Sequence, residues 1–112
     1  MKIAETNIKD ALLAETSGEL NSVDLLKASI KVIKEKNRDI NAYLEVFDDA
    51  KIDSTNKMKV GEGLYGIPIA VKDNILIEGR ISSASSRILE NHKAIYDATV
   101  VKKLKEAGAI LV

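Results

Sequence analysis

The sequence contains no cysteine. Disulfides and thiolate metal sites are therefore excluded, and nothing in the chain marks a redox compartment. Histidine is almost absent too: His92 stands alone. A histidine-clustered metal centre, or a Ser-His-Asp triad, has little material to draw on. Aromatic residues make up only 4% of the chain. Its core must be filled by aliphatic side chains, and a base-stacking surface is not offered. Charge of one sign is missing as well, since seventeen basic residues balance seventeen acidic ones. No global basic field exists to hold a nucleic acid backbone. The opening stretch MKIAETNIKDALLAE is charged and too short in apolar length for a signal peptide or a membrane span. The expectation is a cytoplasmic protein without a membrane partner.

Apolar residues reach 46% of 112 positions, enough for one small domain with a packed core. Residues 6–16 read as a short helix, with Thr6 or Asn7 as its cap and Gly18 as its stop. Residues 22–37 give the clearest helix. Ser22 is the natural cap, Asp24 suits the positive end of the dipole, and Val23, Leu26, Ile30 and Ile33 form one apolar stripe. Residues 42–47, AYLEVF, read as a strand, and 48–60 as a short helix followed by a loop. A second strand is expected at 67–72, and a serine-rich loop running into a helical turn at 82–90. A third helix is expected at 97–107, capped by Asp97 and stopped by Gly108, with Val100, Leu104 and Ala107 buried. Residues 109–112, AILV, then begin another strand. Helices alternating with strands predict an α/β layered fold, and the near-continuous apolar runs IPIAV and AILV suit a sheet buried on both faces. Ending on four apolar residues, the sequence reads as truncated in mid-sheet, because a strand usually runs about five or six residues.

Gly61, Gly63 and Gly66 have the G-x-G-x-x-G spacing of a dinucleotide loop. That loop must follow a strand and open a helix. Here STNKMKV precedes it and Ile67-Pro68-Ile69 follows it, which is strand chemistry. The glycines are better read as a flexible entry into a strand. Along that strand Ile67, Ile69, Val71 and Asp73 share one face, and Pro68, Ala70, Lys72 and Asn74 share the other. Lys72 ends a buried run while its neighbour Asp73 turns away. One use for an amine so placed is as a general base. A free lysine has a pKa of about 10.4, and lowering it to about 7 costs roughly 4 kcal/mol, which desolvation supplies when no carboxylate stabilises the cation. The strand by itself favours the plainer reading, a snorkelling lysine with its ammonium in water. His92 lies in a polar turn, and Arg80 and Arg87 flank the serine loop as surface arginines.

GIPIAVKDN, residues 66–74, with Gly79, Ser82, Ser83 and Ser86 after it, resembles the opening motif of the amidase signature family. SSRILENHKAIYDATVVKKLKEAGAIL, residues 85–111, and the amino-terminal SGELNSVDLLKASIKVIKEKNRDINAYLEVF resemble one branch of it, the glutaminase subunits of the glutamine-dependent tRNA amidotransferases. The resemblance covers nearly the whole chain. It implies that residues 1–112 are the amino-terminal portion of one layered α/β/α domain with a mixed sheet. Residues 1–40 would be a helical lead-in, and 41–112 the start of the sheet with the lysine strand. It implies a Ser-cisSer-Lys triad in which Lys72 matches the base, with Asp73, Asn74, Ser83 and Ser86 supporting it. Both family serines lie in a Gly/Ser-rich segment with no counterpart here, so Ser82, Ser83, Ser85 and Ser86 are not taken as nucleophiles. The implied substrate is glutamine, and the implied partners are the B and C subunits of the complex, through which charged tRNA is reached. The resemblance implies no cofactor or metal in this chain, and ATP and magnesium in the partner subunit. Two other readings stand beside this one: a non-catalytic interaction module, and part of an amidase acting on small amides.

Overall fold

The computed structural model describes residues 2–112. After a 3-10 turn at Ile3–Glu5 come helices α1 (Ile8–Ser17) and α2 (Ser22–Ile40), strand β1 (Pro68–Ile69), helix α3 (Thr99–Glu106) and strand β2 (Ile110–Leu111). The two strands pair in parallel, Pro68 opposite Ile110 and Ile69 opposite Leu111. Parallel neighbours need a long crossover, and the segment containing α3 supplies it.

Both amino-terminal helices begin with the same device. Asn7 Oδ1 accepts from the Asp10 amide at 2.9 Å while Asn7 Nδ2 donates to Asp10 Oδ2 at 2.8 Å. Asn21 repeats this with Asp24, at 2.9 and 2.6 Å. Each pair satisfies an orphan helix amide and places a carboxylate at the positive end of the dipole. The cap of α2 is thus Asn21, not Ser22, which is the first helical residue and is buried. Gly18 ends α1 in the left-handed conformation, at φ 79°.

Leu26, Ile30 and Ile33 face the core as the periodicity predicts, but Val23 is exposed and Leu25 is buried in its place. The helix therefore serves two clusters. Leu25 joins Ala11, Ala14, Leu20 and Ile67; Leu26 joins Ile110 and Val112. A third cluster unites Phe47, Ile77 and Val101, with Val71 and Leu111 against it. Val101, with 0% exposure, anchors α3, whereas Val100 is exposed.

The predicted strand at 42–47 is absent, and 48–60 contains turns but no helix. Helix α2 runs three residues further than expected, to Ile40, and stops on Asn41 at φ 53°. Asn37 then takes the place of a neighbouring strand. Its Nδ2 donates to the Tyr43 carbonyl at 2.9 Å, and its Oδ1 accepts from the Tyr43 amide at 2.7 Å. With those groups satisfied by a side chain, the apolar run has no ladder to join, and Leu44 is left 68% exposed. Asp97 does not cap α3 either. Its carboxylate accepts from the Glu78 amide and from Lys105 Nζ, both at 2.8 Å. The cap position falls on Ala98, without a side-chain hydrogen bond.

Among the described residues, Glu15 is the one buried ionisable side chain. It is 5% exposed, and neither carboxylate oxygen has a hydrogen-bond partner among the described residues. Burial pushes its pKa above the ordinary 4.5; the Ser22 hydroxyl beside it opposes that shift without forming a well-aligned bond. A raised carboxyl pKa means that the folded state binds a proton the unfolded chain releases. Its stabilising contribution is complete below pH 4.5 and disappears as pH rises through the folded value. At neutral pH this contribution is diminished, and the buried carboxyl without a hydrogen-bond partner opposes folding. Glu15→Met is therefore expected to raise stability at pH 7 by about 1–3 kcal/mol, with a smaller gain at pH 4, as read by urea unfolding at both pH values.

Candidate active site

The strand ladder ends at Ile69, but the alternation of faces continues past it. Ile67 is buried and Ile69, Val71 and Asp73 are partly buried, whereas Ala70, Lys72 and Asn74 are exposed. A turn follows, closed by the Ile75 amide on the Lys72 carbonyl at 3.0 Å. Lys72 therefore stands on an open face at the strand exit. No carboxylate among the described residues forms a salt bridge with it.

Asp73 faces the serine loop. Its carboxylate accepts from the Ser83 amide at 3.1 Å, from the Ser85 amide at 3.1 Å and from the Ser83 hydroxyl. Its main-chain carbonyl accepts from Ser82 Oγ at 2.9 Å and from the Ala84 amide at 3.3 Å. Partial burial by itself would raise the Asp73 pKa. The Ser83 hydroxyl and the amides of Ser85 and Ser83 outweigh it and hold the carboxyl below its ordinary 3.8. Ser82 and Ser83 are each only 7% exposed. Wrapping three donors around one carboxylate forces Ala84 and Ser85 to φ 47° and 58°, a left-handed conformation that costs a residue with a Cβ about 1–2 kcal/mol.

The structure thus brings Asp73 and Ser83 together and keeps Lys72 and Asn74 on the other side of the strand. Ser86 joins through its main chain, its amide donating to the Ser83 carbonyl at 2.9 Å. Ser85, not singled out as a supporting residue, contributes an amide rather than its hydroxyl. Arg80 is more than a surface arginine: its guanidinium lies 4.0 Å from the Phe47 ring centroid and pairs with Asp49. No sequence signal links residues 31 positions apart. His92 is exposed, as expected, and its carbonyl accepts from the Ser82 amide at 2.9 Å. A cleft of about 390 Å³ lies between Phe47, Ile77, Arg80, Lys105, Ile110 and Leu111, and neither Lys72 nor the serine loop lines it.

The three spaced glycines are structural. After Gly66 comes β1, and no helix begins until Thr99. A Cβ on Gly66 would lie 2.1 Å from Ser22 Oγ and 2.4 Å from Ser22 Cβ. The residue is what lets the strand entry press against the start of α2.

The profile of the Amidase family matches residues 24–112. The chain is similar to the A subunit of the glutamyl-tRNA(Gln) amidotransferase of Endomicrobium trichonymphae, 38% identical over 99% of this chain and 24% of that protein. The same subunit of Lactobacillus gasseri is 47% identical over 85% of this chain and 20% of its own length. Among solved structures, the same subunit of Thermotoga maritima superposes with a TM-score of 0.78 at 34% identity, over 98% of this chain and 22% of that one. The chain thus spans about a quarter or less of the length of these relatives.

Proposed function

The chain belongs to the amidase family, and from that premise we propose that it forms the lysine-bearing part of a glutaminase subunit in a tRNA-dependent amidotransferase. The observation that carries this reading is the placement of Lys72: at the exit of a strand, on an open face, with its one adjacent carboxylate tied off by the serine loop.

In this reading the neutral Lys72 amine is the general base. It takes a proton, relayed through a second serine held by a cis peptide, from the serine that attacks the side-chain amide of glutamine. A serine hydroxyl is a weak nucleophile and needs such a base, and the tetrahedral oxyanion needs preorganised donors. The proton is returned to the amide nitrogen as the carbon–nitrogen bond breaks, so that ammonia departs and the glutamyl group is left on the serine as an ester. Water then releases glutamate. Ammonia passes to the B subunit, where Glu-tRNA or Asp-tRNA is activated with ATP and magnesium, the C subunit completing the complex. Both serines, and the walls that desolvate the lysine, belong to the portion of the relatives that this chain does not span. Asp73, Asn74, Ser83 and Ser86 support the lysine segment.

The test is ammonia release from glutamine. The 112-residue chain by itself is expected to release none above background, and the complete enzyme is expected to depend on Lys72. Release by the purified chain that Lys72→Ala abolishes contradicts the proposed division of the triad.

A further inference from the structure

The sheet hydrogen bonds stop three residues short of Lys72, since β1 ends at Ile69. The ladder therefore does not fix the direction of the amine. Beyond the turn bond from the Ile75 amide to the Lys72 carbonyl, what fixes the backbone there is the next residue. Asp73 takes five hydrogen bonds from residues 82–85: three on its carboxylate, from the Ser83 amide, the Ser83 hydroxyl and the Ser85 amide, and two on its carbonyl, from Ser82 Oγ and the Ala84 amide. The donors are themselves anchored. The Ser82 amide donates to the His92 carbonyl at 2.9 Å, the Ala94 amide to the Arg80 carbonyl at 3.0 Å, and the Gly79 amide to the Ala94 carbonyl at 2.8 Å. Ile81 and Lys93 form an antiparallel bridge between these bonds. Two residues with side chains, Ala84 and Ser85, are held left-handed to complete the arrangement, a conformation that persists only when its surroundings impose it.

We infer that Asp73 is a positioning residue: it clamps the strand exit to the serine loop, so that Ser82, Ser83 and Ser85 set the direction in which Lys72 projects. This rests on the reading of Lys72 as the base. A base must meet its proton within hydrogen-bond reach, and a displacement of about 1 Å in a catalytic group costs about a hundredfold in rate. Loss of the clamp should therefore appear in turnover and not in substrate binding.

The experiment measures glutamine-dependent ammonia release by the complete enzyme carrying Asp73→Asn, Ser83→Ala, Ser83→Thr and, as reference, Lys72→Ala. Asp73→Asn and Ser83→Ala are expected to lower kcat by about 10- to 100-fold with KM for glutamine changed by less than about threefold. Ser83→Thr keeps the hydroxyl and should recover most of the rate. Should Asp73→Asn fail to fold, Ser83→Ala carries the test, because it leaves the carboxylate and both amide donors in place. If Ser83→Ala and Asp73→Asn keep kcat within about twofold while Lys72→Ala is inactive, the clamp is overturned and the base reading stands. A rise in KM at unchanged kcat overturns the clamp as well. Full activity in Lys72→Ala overturns the base reading, and the clamp with it.

Discussion

Lys72→Ala is expected to lower ammonia release from glutamine by the complete enzyme by about a hundred- to ten-thousand-fold, the range that general acid–base catalysis contributes. The loss should fall on kcat, because the amine is asked to move a proton in the transition state and not to hold the substrate. Lys72→Arg should be equally inactive. A guanidinium keeps its proton at any pH a protein survives, so it preserves the charge and removes the base. Folding of the 112-residue chain should be indifferent to either change. Lys72 is exposed, joins no salt bridge among the described residues and packs into none of the three clusters. Substitutions at such positions stay within about 0.5 kcal/mol. A large loss of turnover in a variant of unchanged melting temperature separates a chemical role from a structural one.

Gly66→Ala is expected to have the largest effect on folding, about 2–5 kcal/mol of lost stability by urea unfolding. Two costs combine. The residue sits at φ 76°, where a Cβ is strained by about 1–2 kcal/mol. The new methyl would also meet Ser22 Cβ at 2.4 Å and Ser22 Oγ at 2.1 Å, an overpacking that costs about 1–3 kcal/mol. The second cost has a named partner, so it is separable. Ser22→Gly opens the space, and the double variant should recover the steric part while the backbone part remains, giving a coupling of about 1–3 kcal/mol. Simple addition of the two single effects would show that Ser22 is not what the methyl strikes.

The helices were legible because their signals are local. Asn7 was among the caps the sequence offered, Gly18 and Gly108 are the stops it marked, and Leu26, Ile30 and Ile33 fall on the predicted stripe. The face of Lys72 was legible for the same reason: alternation put it opposite Asp73, and the burial of residues 69–74 follows that alternation, although the strand itself covers Pro68–Ile69 and not 67–72. The misreadings arose where a side chain at a distance takes over a backbone group. AYLEVF has the composition of a strand, but Asn37 satisfies Tyr43 from the preceding helix. Asp97 has the composition of a cap, but Glu78 and Lys105 claim its carboxylate. Periodicity also chose Val100 over its neighbour, because three-residue and four-residue spacings do not distinguish adjacent apolar positions; packing settled on Val101. Ser83 was singled out as a supporting residue. Its hydroxyl bond to Asp73, ten positions earlier, is a tertiary fact that spacing does not encode.

The central claim is that the amine of Lys72 accepts a proton, and chemical rescue addresses it most directly. The measurement is ammonia release from glutamine by Lys72→Ala enzyme in the presence of small primary amines of graded basicity, with tetramethylammonium as a cation that accepts no proton. A proton acceptor predicts restored turnover whose rate increases with the concentration of free amine and with its basicity, and no restoration by tetramethylammonium. Equal rescue by tetramethylammonium would assign position 72 an electrostatic role instead, and an undiminished rate in Lys72→Ala without any amine would contradict the account outright.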